Sequence, residues 1–112
     1  TSRQIGQLKM REAAPLIKKA CSDEFKNVRI EAARAIGLLR DKSGVEVLRR
    51  LLDDPYYDVR MEAVKGLEKL FDPQALAGIE KALSDKNHNV RDEAKVAYHS
   101  LKTRLDRAAQ SK

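Results

Sequence analysis

One short phrase occurs three times in this 112-residue chain at constant spacing. Asn27-Val28-Arg29-Ile30-Glu31-Ala32 returns as Asp58-Val59-Arg60-Met61-Glu62-Ala63, and again as Asn89-Val90-Arg91-Asp92-Glu93-Ala94, 31 residues apart each time. A period of this size describes stacked units rather than one globular core. Each unit is too small to shelter its own apolar face, so its neighbour must do so.

The middle unit shows what is stacked. Val59, Ala63, Gly66, Leu67 and Leu70 fall on one face of a helix, here termed helix A. Asp58 precedes the run and reads as its N-cap, because a carboxylate can accept from the unpaired amides of a first turn. The spacing ends helix A near Phe71. Asp72-Pro73 then predicts a new start, with Asp as cap and Pro at the first helical position. Leu76, Ile79, Ala82 and Leu83 form the apolar face of this helix B, and residues 84–88 are a polar turn. Equivalent positions agree along the chain: Ile36, Leu67 and Tyr98; Leu39, Leu70 and Leu101; Leu48 and Ile79. A small residue recurs at Ala35, Gly66 and Ala97, a place for close helix approach.

The same register, carried back by one unit, predicts a helix B over residues 12–22 with Cys21 in a core slot. It makes residues 2–10, with Ile5 and Leu8, the back half of an A helix. At the other end Leu105 and Ala108 continue the spacing of Leu101, so the last A helix is expected to run to about residue 108, with no B helix after it. One repeat domain over 1–112 results: a partial repeat 1–23, repeats 24–54 and 55–85, and a terminal half-repeat and cap 86–112. It reads as part of a longer array, a worn terminal cap being the alternative.

Composition agrees with packed helices. Tryptophan is absent and 4% of residues are aromatic, so alanine and leucine must do most of the packing. No apolar run approaches the roughly 18 residues of a membrane span. The net charge of +6 biases partners toward anionic surfaces. A lone cysteine has no internal disulfide partner and suits a reducing compartment, so a cytoplasmic location is expected.

The Val-Arg-x-Glu-Ala phrase opening each helix A, with an aspartate six residues before each arginine (Asp23 and Arg29, Asp54 and Arg60, Asp85 and Arg91), resembles the HEAT repeat family. The short period resembles its phycobilisome-lyase-like variety. The resemblance implies an all-α, right-handed α-solenoid of stacked antiparallel helix pairs. It also implies that these six residues form a structural polar ladder across repeats. The physical sense is that aspartate can cap the inter-repeat turn while the arginine fork locks the aspartate.

Function is sought where packing demands nothing. B helices generally line the concave surface of such solenoids, and their outward positions read Lys18-Lys19, Arg49-Arg50 and Glu80-Lys81, five cations against one acid. This strip is expected to meet an acidic surface or segment of another protein. A second candidate is the edge of the B-to-A turns, where Phe25, Tyr56 and Tyr57 stand in place of the usual polar residues. His88 and His99 have no neighbouring glutamate, unlike the His-Glu pairs of HEAT-like iron hydroxylases, and no cysteine cluster, Walker loop or nucleophile triad is present. No cofactor, no metal and no enzymatic activity are therefore expected. The expected function is a non-enzymatic protein-interaction scaffold. A nucleic-acid-binding module and an accessory to phycobilin chromophore attachment are the alternatives, and the oligomeric state, including end-to-end stacking of the terminal faces, is left open.

Overall fold

A computed structural model describes residues 15–111. The half-helix expected over 2–10 lies outside them. Among the described residues there is no strand. The helices are α1 (residues 15–20), α2 (Lys26–Leu39), α3 (Val45–Leu51, entered through a 3-10 turn Lys42–Gly44), α4 (Tyr57–Lys69), α5 (Pro73–Ala82) and α6 (His88–Gln110).

They stack in two layers as an α-solenoid. The A helices α2, α4 and α6 pack side by side, while α3 and α5 lie across them, α3 on α4 and α5 on both α4 and α6. The thinnest dimension is 18 Å, about two helix diameters of ~10 Å. Equivalent residues enter the same core: Leu48, Leu67 and Ile79 are wholly buried, Ile36 nearly so, and Tyr98 packs against them. Cys21 occupies its core slot.

The helix starts have two designs. Asp72 accepts from the Gln74 amide at 2.8 Å and Pro73 opens α5, as the local signals predict. Asn87 caps α6 through the amides of Asn89 and Val90. The capping residues of α2 and α4 are Phe25 and Tyr56, whose side chains cap nothing. Asp58 is not the cap of α4: it is the second residue of that helix, bonded to the Val59 amide and to Lys26. The turn closes earlier, because Asp54 Oδ1 accepts from the Tyr56 amide at 3.0 Å.

The helix ends also differ from expectation. α4 stops at Lys69, and Phe71 takes φ 51, as Arg40 takes φ 53 one unit earlier. These left-handed residues reverse the chain at successive A-to-B turns. The last helix outruns its predicted end near 108 and stops at Gln110. Close helix approach is made at Gly66, but its partner is Gly37 rather than Ala35: a Cβ on Gly37 would lie 3.0 Å from the Gly66 Cα.

Candidate functional site

The B-to-A turns rest on a charged spine. Arg29 donates through Nε to Asp54 Oδ2 at 2.7 Å and through Nη2 to Oδ1 at 3.2 Å. Arg60 grips Asp85 in the same way at 2.9 and 3.2 Å. The third guanidinium nitrogen, Nη1, donates to the backbone carbonyl six residues upstream: Arg29 to Asp23, Arg60 to Asp54, Arg91 to Asp85. Each carboxylate also accepts from the amide two residues on, at Phe25, Tyr56 and Asn87. The carboxylate pairing therefore joins neighbouring units, whereas the pairs seen in sequence meet only through a main-chain carbonyl. Arg60 is 4% exposed. The hydrogen bond to Asp54 holds the Arg29 guanidinium above its ordinary range. Among the described residues, no carboxylate meets the Nε and Nη2 of Arg91, so the third fork is open.

On this spine stand the aromatic turn residues. Phe25 is 64% exposed, Tyr56 50% and Tyr57 45%. They do not fold back over the helix ends. Lys26 Nζ sits 4.9 Å from the Tyr56 ring centroid and Arg29 Cζ 6.0 Å from it, while Lys26 also pairs with Asp58 at 3.0 Å. The ring is thus clamped by cations from the preceding unit, with its edge in solvent. Clamped aromatics lose little freedom on binding, which suits them as anchors.

The B-helix strip is mixed rather than an unbroken basic ridge. Lys18 is tied to the Ser43 hydroxyl and lies 3.9 Å from Asp41. Hydrogen bonds from the Ser43 hydroxyl and amide, with the charge of Lys18, hold the Asp41 carboxyl below its usual range. Lys81 pairs with Asp53 at 2.8 Å. Arg49 and Arg50 line a cavity of about 450 Å³ between α3 and α5, and Glu46 and Asp53 line it too. Lys19, Arg49 and Arg50 keep exposed heads. Helical periodicity identifies outward positions but cannot say which acids of the next turn or helix lie beside them.

His88 and His99 are exposed on α6. Among the described residues no group of three His, Cys, Asp or Glu side chains is placed to hold a metal ion. No described helix is long and apolar enough to cross a membrane.

A family model described as HEAT repeats matches residues 13–99. No curated protein matches. Among solved structures, the chain is similar to human deoxyhypusine hydroxylase in complex with glycerol, at 23% identity and a TM-score of 0.76. The match covers 82% of this chain and 33% of that one, so the chain spans about a third of that protein's length. The likeness is one of fold. It nevertheless corrects the expectation of no enzymatic activity, since the same stacked-helix architecture belongs to a protein named as a hydroxylase. Missing local motifs are therefore no ground for excluding catalysis.

Proposed function

This chain belongs to the HEAT-repeat family, and on that premise we propose that it serves as a docking scaffold for another protein. Its short period supports a likeness to the phycobilisome-lyase-like variety of these repeats, and its lone buried thiol is compatible with a reducing compartment such as the cytoplasm. The observation that carries the docking role is the exposure of Phe25, Tyr56 and Tyr57 on two successive turns, with the Phe25 and Tyr56 amides tied to Asp23 and Asp54 and the Asp54 carboxylate locked by Arg29. Aromatic side chains on a fixed backbone give large contact area at small entropic cost. Arg49, Arg50 and Lys19 on the adjoining B face favour a partner with an acidic surface.

Capture of partners from native lysate, with and without nuclease, tests this role. The F25A/Y56A/Y57A chain should keep its helical circular dichroism and lose the partner, and nuclease should change nothing. Undiminished capture by the triple variant, or capture that vanishes with nuclease, would overturn the proposal.

A further inference from the structure

We infer that the A-to-B turn edge, opposite the aromatic one, carries a second binding site: a basic pocket for a carboxylate-rich segment of a partner protein. Three units converge on one cavity of about 530 Å³. The first turn supplies Arg40 and Lys42; the second supplies Lys69, Leu70 and Phe71; the extension of α6 beyond Leu101 reaches back with Arg104 and Arg107. Five cations line the pocket and no acid does.

Of the nearby carboxylates, Glu68 neutralises Arg104 in the pocket floor, and the others are committed outside the pocket. Asp41 is held by Ser43 and Lys18, and Glu68 by Ser100 and Arg104. Asp72 caps α5 and Asp106 pairs with Lys102. Among the described residues, Arg40, Lys42, Lys69 and Arg107 have no ion-pair partner. These four, gathered without counter-charge, repel one another, and an anionic ligand relieves that repulsion.

The floor is fixed while the rim is free. Arg104 Nη2 donates to Glu68 Oε1 at 2.8 Å and to the Glu68 carbonyl, and its guanidinium lies 5.8 Å from the Phe71 ring centroid. Arg40, Lys42 and Arg107 are exposed. A left-handed backbone is uncommon for non-glycine residues and costly for a bulky one, yet Arg40 and Phe71 both adopt it at the pocket.

The chemistry favours a peptide over a nucleic acid. Leu70 and Phe71 offer an apolar floor beside guanidinium forks that match carboxylates in two-point geometry. Arg104 already sits against the Phe71 ring, which hinders base stacking there, and the cations surround one cavity instead of tracking along the layers.

Fluorescence anisotropy with a labelled peptide of alternating Glu and Leu tests the site on the whole chain. Binding should weaken about tenfold or more in K42E/R107E, and also in the milder K42Q/R107Q. It should be unchanged in K86E/K95E, an equal charge reversal at exposed lysines outside both surfaces, and absent for the peptide with Gln in place of Glu. Equal affinity of wild type and both pocket variants would overturn the site. An equal loss in K86E/K95E would reduce it to net charge, and tighter binding of a single-stranded oligonucleotide lost in K42E/R107E would replace the peptide with nucleic acid.

Discussion

At one joint between units a single side chain makes three of the polar bonds. Arg60 fills three hydrogen-bonding positions at once, two on Asp85 and one on the Asp54 carbonyl, from a buried place. Its removal leaves a largely buried carboxylate and a carbonyl unpaired. Arg60→Ala should cost about 3–5 kcal/mol, read as a lowered urea midpoint. Arg34 also bonds two acids, Glu31 and Glu62, but is itself half-exposed, and Arg34→Ala should leave the midpoint close to wild type. Coincident midpoints for the two variants would contradict the ladder as the joint between repeats. Cys21 makes a second residue-scale test. Burial pushes its thiol up to about 11 from an ordinary 9.0, against the opposing charge of Arg50. Unfolded chains release this proton near 9 and folded chains only near 11. The thiol's contribution is therefore intact below 9 and fades as pH climbs through that window. Denaturation midpoints of wild type should fall more steeply from pH 9 to 11 than those of Cys21→Ala; parallel profiles would refute the assignment.

Among the helices, the starts separate what was legible locally from what was not. Asp72-Pro73 could be read in place, because cap and first-turn proline act within a few residues. The start of α4 could not, because Asp54 closes the turn while Arg29, 25 residues upstream, holds its carboxylate. Asp72→Ala should destabilise the chain by about 1 kcal/mol. Asp58→Ala, which loses a half-exposed pair with Lys26 and a bond from the adjacent Val59 amide, should cost less than half as much, as thermal unfolding would reveal. The reverse order would restore Asp58 as a cap. The length of α6 was likewise open to reading, since Leu101, Leu105 and Ala108 keep the helical spacing, but where its tail lies was not. Only packing brings Arg104 back to the end of α4.

For the molecule as a whole, α4 is the keystone, packed against α2, α3, α5 and α6. A stack held by nearest-neighbour contacts opens from its ends, so protection should peak in its middle. Amide hydrogen exchange should be slowest in α4; slower exchange in α2 or α6 would show that cohesion lies elsewhere. The onward faces of the A helices also change along the stack. Ala33 and Val64 are wholly buried, whereas Lys95 at the equivalent position of α6 is exposed.

The chain of letters determined which positions are alike. A 31-residue period with apolar residues at helical spacing already demands paired helices in a stack, and alignment by that period finds the shared core slots of Ile36, Leu67 and Tyr98. Contacts between neighbouring units, however, join unlike positions, the onward face of one helix meeting the backward face of the next. Hence Gly37 meets Gly66, and Arg29 meets Asp54 rather than the Asp23 carboxylate. The same holds for charge. Summed along the sequence, the B strip is strongly basic; in space Asp41, Glu46 and Asp53 temper it. The basic pocket beside Phe71 draws its cations from three units, and apart from Lys42 and Arg104, two periods apart, they stand at unlike positions of the repeat. Equivalence follows from repetition alone, but partnership depends on how the repeats are rotated and set against one another, and that only the tertiary structure decided.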